Sequence, residues 1–423
     1  MTIAIIGAGA AGCFAAIHIK RLAPHHRVVV CESAGRPLAK VAITGGGRCN
    51  LTNTFARVDT TQATGLKAVY PRGDKLMRRA LGTFSHRDTW EWFEAEGVRL
   101  VTQSDECVFP HSQDAMQIVG TLTGLMQHLG VELRLHHRVA DIAATESDAG
   151  YRITFADPSL APLAADRVLV TAGGQPRAQG FAMLASLGID VEPPVPSLFT
   201  FNLAGKWHTA LMGIVVEQAV VTLAGTKFKA AGPLLLTHWG MSGPAILRLS
   251  SYAARHLAEQ DYKARLVVNW LDGATDEAAR SIVRQMADAN PRKLITTTPP
   301  EGLTTRFWQA LLERYGVVPT GAAASEALVP RWAEVGKKQL ARIVTALTAD
   351  EHEITGRCAF KEEFVTCGGV ALSAINPSTM ECRKHPGLYF AGEVLDVDAV
   401  TGGFNLQAAW SMAVVAAQSI VRE

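Results

Sequence analysis

The sequence lacks an excess of charge of either sign, a paired set of cysteines and an apolar run long enough to cross a bilayer. Its 41 Lys and Arg residues face 39 Asp and Glu residues, for a net charge of +2. Such a balance does not predict the concentrated basic surface of a nucleic-acid-binding protein. The seven cysteines show no C-x-x-C spacing, which argues against a disulfide framework, a metal site or a dithiol redox pair. We therefore expect free thiols, a cytoplasmic location and no nucleic-acid partner.

Apolar segments at the two ends of the chain are the candidates for a targeting or membrane segment. The N-terminal segment has no basic region before it and is interrupted by glycines, unlike a signal peptide. The C-terminal segment AAWSMAVVAAQSI has about 13 residues, whereas a membrane-spanning helix needs about 20. We therefore predict no membrane partner. The 423 residues, 48% of them hydrophobic, are enough for two or three domains with sizeable cores.

The segment GAGAAG lies between a short β-branched run, TIAII, and an apolar helical segment. At this spacing Gly7 makes a tight turn, Gly9 lets the backbone approach a pyrophosphate, and Gly12 allows helix and strand to pack closely. A second β-branched run ends at Glu32, whose carboxylate can accept hydrogen bonds from a ribose. This pattern predicts a Rossmann-type dinucleotide-binding unit and leaves NAD and FAD open. The residues predicted to bind the dinucleotide are Gly7, Gly9, Ala10, Ala11, Gly12, Glu32 and Ser33.

A second glycine cluster, KVAITGGGRCNLTN, spans residues 40–53. Three successive glycines allow a nest of backbone N–H groups, and Arg48 and Lys40 add cationic donors. A second anion-binding loop so close behind Glu32 favours the longer FAD molecule, and a flexible glycine hinge is the alternative. Cys49 suggests thiol chemistry at a flavin, but without a partner cysteine we favour simple packing in a tight loop. The predicted ligands in this loop are Lys40, Thr44, Gly45, Gly46, Gly47, Arg48, Cys49 and Asn50.

Two later segments are predicted to return the chain to the cofactor. RVLVTAGG and GLYFAGEVLD are apolar strands that run into glycines, and TGGFNLQ begins an apolar helix. The positive end of that helix would stabilise negative charge on the pyrimidine edge of a reduced flavin. Glu393 is either a catalytic acid or, as we favour, a ligand to the ribityl or phosphate part of FAD. The residues predicted to contact the cofactor here are Ala172, Gly173, Gly174, Gly392, Glu393, Gly402, Gly403, Phe404, Asn405 and Leu406.

Several motifs together resemble a known family. GGGRCNLTN, FPHSQDA, LLLTHWGMSGPA, VTCGGV and GLYFAGEVLDVDAVTGGFNLQAAWSMA are similar to segments of the HI0933-like bacterial flavoproteins, which include aminoacetone oxidase-like and bile-acid reductase BaiN-like members. The resemblance covers most of the chain and implies an NAD(P)/FAD-dependent oxidoreductase. It also implies that Val139 presents its backbone to the adenine, although an ordinary strand core residue is a serious alternative. One departure is that Glu106-Cys107 stands where the family usually has Gly-Arg.

The predicted fold is α/β, with a Rossmann-type FAD-binding domain of the two-dinucleotide-binding-domain type, an inserted β-barrel-like domain and a helical insert. We assign residues 1–190 and 360–423 to the FAD-binding domain, 191–250 and 346–359 to the barrel, and 251–345 to the helical insert. The proline-rich EPPVPSLF marks the first boundary. An AGTK turn predicts antiparallel strands, and Ser242 with Pro244 predicts a helix start. His238 before them is either a substrate-cleft residue or, as we favour, a core or capping histidine.

The leading hypothesis is an FAD-dependent oxidoreductase that transfers a hydride between flavin and a small organic substrate. No second complete G-x-G-x-x-G follows a later strand, so NAD(P)H would dock transiently or oxygen would reoxidise the flavin. The alternative is a non-catalytic flavin-binding protein whose helical insert mediates protein interaction. A tRNA-modifying flavoenzyme is a weaker third hypothesis because the net charge is near neutral. The sequence predicts neither the substrate, nor a catalytic acid or base, nor the oligomeric state.

Overall fold

The computed structural model describes residues 1–60, 63–145, 150–320, 328–358 and 365–422. The chain divides into two compact units: unit 1 comprises Met1–Ser197 and Val365–Glu423, and unit 2 comprises Leu198–Phe364. The barrel and the helices that the sequence analysis assigned to separate regions both fall within unit 2.

Unit 1 begins with alternating strands and helices. Its elements before residue 198 are β1 Thr2–Ile6, α1 Ala10–Leu22, β2 Arg27–Cys31, α2 Ala39–Gly47, β3 Thr52–Asn53, α3 Ala63–Lys67, α4 Asp74–Thr83, α5 His86–Ala95, β4 Leu100–Thr102, β5 Cys107–Pro110, α6 Ala115–His128, β6 Glu132–Arg134, β7 Val139–Ala144, β8 Tyr151–Phe155, β9 Leu163–Ala165, β10 Arg167–Val170, a 3-10 helix over Ala178–Leu187, and β11 Val191–Ser197.

Unit 2 contains a barrel and most of the later helices. Its elements are β12 Phe201–Leu203, a 3-10 helix over Thr209–Leu211, β13 Val215–Leu223, β14 Lys229–Leu236, β15 Gly240–Ser242, α7 Pro244–Tyr252, α8 Ala254–Glu259, β16 Ala264–Asn269, α9 Asp276–Ala289, a 3-10 helix over Ile295–Thr297, α10 Thr305–Arg314, a 3-10 helix over Trp332–Glu334, α11 Lys337–Thr348 and β17 Asp350–Arg357. The chain then returns to unit 1 with β18 Val365–Val370, a 3-10 helix over Leu372–Ala374, β19 Leu388–Phe390 and α12 Phe404–Arg422.

A five-stranded parallel sheet in the order β19-β10-β1-β2-β6 forms the centre of unit 1. The strands β1, β2 and β10 are almost entirely buried, because helices cover both faces of such a sheet. The register aligns Ile6 with Cys31 and Val170, and Val170 with Phe390. Four strands therefore end together at one edge, where open α/β sheets bind their ligands. The predicted Rossmann-type domain is confirmed.

Helix α12 is the core helix of unit 1. It lies against α1 and α4, and Trp410 packs on Phe14 with ring centroids 5.0 Å apart. Among the described residues it is also the one helix whose length and composition would allow a membrane span, and 78% of its most apolar window is buried within the protein. Burial of this extent is that of a helix packed in a protein core.

Six strands of unit 2 close into an antiparallel barrel in the order β12-β15-β14-β13-β16-β17, which confirms the predicted barrel and the hairpin at AGTK. Strand β16 lies inside the range that the sequence analysis assigned to helices. Its six residues show partial alternation in burial, but they lie between two helical segments. The sequence analysis therefore assigned them to the helical region. Helix α7 begins at Pro244 as predicted, but Gly243 is the N-cap, and Ser242 ends β15. His238 is exposed rather than in the core.

Candidate functional site

The turn after β1 depends on glycine because of close contacts. A Cβ on Gly7 would lie 2.6 Å from the carbonyl oxygen of Thr171, and φ at Gly7 is +106°. A Cβ on Gly12 would lie 2.0 Å from the Gly7 oxygen. Gly9 differs from these two glycines, because nothing lies within 4 Å of its Cβ position. Gly9 is the N-cap of α1, and no side chain caps this helix end. The first turn of α1, which starts with Ala10 and Ala11, thus presents unpaired N–H groups to open space, as a pyrophosphate site requires.

Glu32 lies at the end of β2, with its carboxylate fixed by three donors. Its Oε2 accepts a hydrogen bond from the Ala8 N–H at 2.8 Å. Its Oε1 accepts from the Ala34 N–H at 2.8 Å and from the Ser33 hydroxyl at 3.1 Å. An ionised carboxylate has about four lone-pair sites, so this oriented group keeps capacity for a ribose hydroxyl.

Val139 begins β7 close to this acid. The His137 N–H donates to the Glu32 carbonyl oxygen at 2.8 Å, which brings the chain before Val139 alongside the end of β2. Val139 then pairs with Phe155 in a three-stranded antiparallel sheet. This position is compatible with a backbone contact to an adenine, and that contact stays a prediction.

The second glycine cluster forms a left-handed turn at the end of α2 that glycine adopts without strain. Thr44 leaves the helical conformation, and the three following glycines have φ of +60°, +69° and +81°. Nothing lies within 4 Å of the Cβ positions of Gly46 and Gly47. The open space beside these two glycines and beside Gly173, together with the free first turn of α1, fits a long dinucleotide such as FAD.

Arg48 and Cys49 follow this turn, and they differ in their contacts and in their burial. The Arg48 Nε donates to the Gly45 oxygen at 3.2 Å, and its guanidinium lies 4.5 Å above the centre of the Phe109 ring. Cys49 is fully buried at a φ of +63°. Burial raises the pKa of the Cys49 thiol to about 12, so the thiol stays protonated at neutral pH and is a poor nucleophile. This supports packing as the role of Cys49.

The glycines before α12 lie against the second glycine cluster. The Gly403 N–H donates to the side-chain oxygen of Asn50 at 3.2 Å, and the Asn50 amide donates to the Thr52 oxygen at 3.1 Å, with the amide oriented by these partners. Asn53 donates to the Gly402 oxygen at 3.1 Å. A Cβ on Gly403 would lie 2.3 Å from the Thr52 oxygen. The structure thus brings residues from the two ends of the chain together.

Phe404, Asn405 and Leu406 form the first turn of α12. The Asn405 side chain accepts from the Ala399 N–H at 2.9 Å and donates to the Ala399 oxygen at 3.1 Å. The Phe404 oxygen accepts from the Tyr70 hydroxyl at 2.9 Å. These bonds fix the positive end of the helix dipole in place.

Glu393 and Lys40 form an ion pair at the sheet edge. The Lys40 Nζ lies 3.2 Å from Glu393 Oε2, and the Thr366 N–H donates to Glu393 Oε1 at 2.8 Å. A Cβ on Gly174 would lie 2.4 Å from the same oxygen. Gly392 lies close to α1, because its Cβ would lie 3.0 Å from the Ala11 Cβ. Both carboxylate oxygens of Glu393 thus accept hydrogen bonds, and its role as a cofactor ligand stays a prediction.

Two residues that the sequence analysis missed hold these loops. The Thr171 hydroxyl lies 2.9 Å from the Gly7 oxygen and 3.1 Å from the Ile6 oxygen, and it donates to this turn. Gln407 is fully buried in α12, and its Oε1 accepts from the hydroxyls of Thr52 at 2.5 Å and Thr89 at 2.9 Å. A glutamine inside an otherwise apolar helix was the available signal for the second residue.

A buried ion pair fixes the segment before the C-terminal glycines. Arg72 contacts both carboxylate oxygens of Asp398, and the Ser197 hydroxyl donates to Asp398 Oδ2 at 2.8 Å. The Asp398 side chain is fully buried, and the Arg72 side chain is 12% exposed. Such a pair is strongly sensitive to the loss of one partner.

Comparison with known proteins gives a consistent result. Residues 1–419 match the family model described as "HI0933-like protein Rossmann domain". The chain is 28% identical to a ribosomal RNA dihydrouridine synthase of Haemophilus influenzae, over 99% of this chain and 98% of that protein. It is 29% identical to a 3-dehydro-bile acid delta(4,6)-reductase of Clostridium scindens, over the same shares of the two chains.

Solved flavoenzyme structures share the fold. The 3-ketosteroid delta1-dehydrogenase from Sterolibacterium denitrificans matches with a TM-score of 0.51 at 12% identity, over 99% of both chains. An E. coli quinol fumarate reductase matches with a TM-score of 0.51 at 14% identity, over 100% of this chain and 70% of that one. At these identities the likeness concerns the fold alone.

Proposed function

Since the chain belongs to the HI0933-like flavoprotein family and is an FAD-dependent oxidoreductase, we propose that it reduces a carbon–carbon double bond conjugated to a carbonyl group. The names of two relatives support this reaction. A dihydrouridine synthase saturates the C5–C6 bond of a uracil ring, which is conjugated to a carbonyl. A 3-dehydro-bile acid delta(4,6)-reductase acts on the corresponding type of bond in a bile acid. Hydride addition to an activated alkene is the chemistry that these substrates share.

The structural observation that supports a flavin site for this reaction is the contact, in pairs, between loops from distant parts of the chain. The turns after β1 and β10 contact each other through Gly7 and Thr171, and Asn50 bridges the second glycine cluster to Gly403. Bound FAD would supply two-electron chemistry, in which a hydride passes between the flavin and the substrate. The first turn of α1 would bind the pyrophosphate, and Glu32 the ribose. The first turn of α12 would hold negative charge at the pyrimidine edge.

We propose a small organic substrate, NAD(P)H as a transient electron donor and a cytoplasmic location. The near-neutral net charge supports a small molecule over an RNA substrate. All seven cysteines lie among the described residues and are free thiols, which suits a reducing compartment. Oxygen is the alternative partner, as an acceptor that would reoxidise the flavin.

The first experiment tests whether the protein binds FAD. Purified protein should show a flavin spectrum and release FAD rather than FMN on acid treatment. Gly9→Ala should lower the affinity for FAD, since the backbone accepts alanine there but the new Cβ points into open space that the pyrophosphate would fill. Gly120→Ala is the matched control, because Gly120 is an exposed helical glycine with equally open surroundings. Colourless protein that takes up no FAD would refute the proposal.

The reaction is tested by anaerobic mixing with NADH and NADPH, followed by substrate. A panel of conjugated enones, including 3-oxo-Δ4 and Δ4,6 steroids, should yield products heavier by two hydrogen atoms in mass spectrometry. A uridine-containing RNA fragment in the same panel tests the other class. Saturation of the RNA alone would contradict the small-molecule proposal, and reduction of neither class would contradict the reaction.

A further inference from the structure

A cleft of about 450 Å³ lies between residues 52–56 and the first half of α5. Its volume falls in the range of ligand-binding clefts, about 300–1,000 Å³. It is formed entirely within unit 1 and is distinct from the turns after β1 and β10 that would hold the FAD pyrophosphate.

Aromatic rings form the walls of this cleft. The ring of His86 stacks on Phe55, with centroids 5.0 Å apart and planes inclined by 22°. Trp90 lies one helical turn further along α5 and is half-buried. Phe55 is buried between His86 and Phe404, so the half-buried Trp90 is the ring that can stack on a planar heteroaromatic ligand.

One cation and one anion line the cleft. Arg87 and Glu91 are both exposed and are four residues apart on α5. Within the described ranges, the guanidinium of Arg87 and the carboxylate of Glu91 make no ion pair and no hydrogen bond. A free guanidinium can bind a phosphate in bidentate fashion, and a free carboxylate can accept hydrogen bonds from a ribose diol.

The floor of the cleft is connected to the predicted flavin loops. Thr52 lines the cleft and donates from its hydroxyl to Gln407, in the second turn of α12. Asn53 also lines it and donates to the Gly402 oxygen. A ligand in the cleft would therefore rest on the residues that position the α12 N-terminus.

We propose that this cleft holds the adenosine phosphate end of the pyridine nucleotide that reduces the flavin. This inference rests on the proposed function, because it assigns a site to its electron donor. The ring of Trp90, the Arg87 guanidinium and the Glu91 carboxylate match a base, a phosphate and a ribose. A nucleic-acid strand would instead need a succession of cations along its backbone, and a single arginine lines this cleft. The nicotinamide end would extend beyond the cleft.

Binding is tested on the FAD-loaded protein with ADP-ribose, which carries the adenosine phosphate end but no hydride. Calorimetric titration should show binding to the wild type and a dissociation constant raised about tenfold or more in Arg87→Gln and Trp90→Leu. Trp90→Phe should restore most of the affinity because it keeps an aromatic face. Arg78→Gln is the matched control, since Arg78 is an exposed arginine on α4 that does not line the cleft. FAD content and the flavin spectrum should be unchanged in all four variants.

Anaerobic stopped-flow with NADH and NADPH gives the second readout. The nucleotide concentration for half-maximal rate of flavin reduction should rise about tenfold in the two cleft variants, and the limiting rate should stay near that of the wild type. Equal affinity for ADP-ribose in the wild type, Arg87→Gln and Trp90→Leu would overturn the site. So would Trp90-dependent binding of a uridine oligonucleotide without binding of ADP-ribose. If ADP-ribose binds in an Arg87-dependent manner and neither nucleotide reduces the flavin, the cleft stands as a nucleotide site and the assigned donor fails.

Discussion

Gln407→Leu tests whether the buried polar contacts of α12 set the properties of the flavin site. Leucine has a similar volume but removes the acceptor for two hydroxyls and the donor to Ser411. Thr89 keeps a second acceptor, the Ser85 oxygen at 3.1 Å. Among the described residues, the other acceptor of the Thr52 hydroxyl is the Asn53 oxygen, at 3.5 Å. One buried hydroxyl is therefore left poorly paired, which costs about 1–3 kcal/mol of unfolding free energy.

Gln407→Leu should also change the binding and the midpoint potential of the flavin. Thr52 lies against Gly403, so loosening its contact with Gln407 should displace the positive end of α12. We expect weaker FAD binding and a more negative midpoint potential, because the reduced anionic flavin would lose more stabilisation than the oxidised form.

Urea unfolding and dye-equilibrated potentiometry measure the two effects. Gln285→Leu is the control, since Gln285 is an exposed glutamine on α9 and should change neither quantity. A variant with lower stability and an unchanged potential would show that Gln407 is structural only. Unchanged stability would refute the reasoning about its hydrogen bonds.

Three further predictions concern an ion pair, a cysteine and a histidine. Arg72→Met should lower the unfolding free energy by about 3–5 kcal/mol, because it leaves the buried Asp398 carboxylate without its cationic partner. Combining Arg72→Met with Asp398→Asn should recover part of that loss. A loss below about 1 kcal/mol in Arg72→Met alone would contradict this prediction. At pH 8 a thiol reagent should modify one cysteine rapidly in the native protein, since Cys358 alone is partly exposed, and Cys358→Ser should abolish this phase. Burial, and to a lesser degree Arg21, lowers the pKa of His18 to about 4. Below pH 6.5 the unfolded state therefore binds a proton at His18 that the folded state does not bind. The free energy of unfolding should be at its full value above pH 6.5 and should fall by about 2 kcal/mol towards pH 4, after allowance for partial exposure. His18→Gln should remove this pH dependence.

Local patterns predicted the parts of the fold that local geometry determines. GAGAAG between a β-branched run and a helix predicts a strand, a turn and a helix, because a glycine at positive φ and a close packing contact leave few alternatives. The barrel hairpin was equally predictable from its alternation and its turn. Strand β16 was not, because six residues between helices carry too little periodicity to outweigh their neighbours.

The contacts between distant segments could not be predicted from residue types. Lys40 and Glu393 are 353 positions apart, yet their side chains pair at 3.2 Å. The motifs identified both residues as separate cofactor ligands. The place of β19 beside β10 in the sheet, which no motif predicts, positions Glu393. The same holds for the hydrogen bond between Thr52 and Gln407, whose existence depends on how α12 lies over β3.

The glycines of the site fall into two physical classes that their spacing does not reveal. Gly7, Gly12 and Gly403 are needed because a Cβ would meet backbone oxygen at 2.0–2.6 Å, so they hold the loops together whether or not a cofactor is bound. Gly9 has nothing within 4 Å and a φ of −85°, so neither packing within the chain nor backbone conformation requires a glycine there. Gly173 has equally open surroundings, but its φ of +72° favours glycine by itself. A glycine surrounded by open space, at the start of a helix whose N–H groups are free, is best explained by a ligand that fills that space. In the G-x-G-x-x-G motif, packing within the chain explains Gly7 and Gly12, whereas a ligand explains Gly9. This difference supports a cofactor site more strongly than the spacing of the motif does alone.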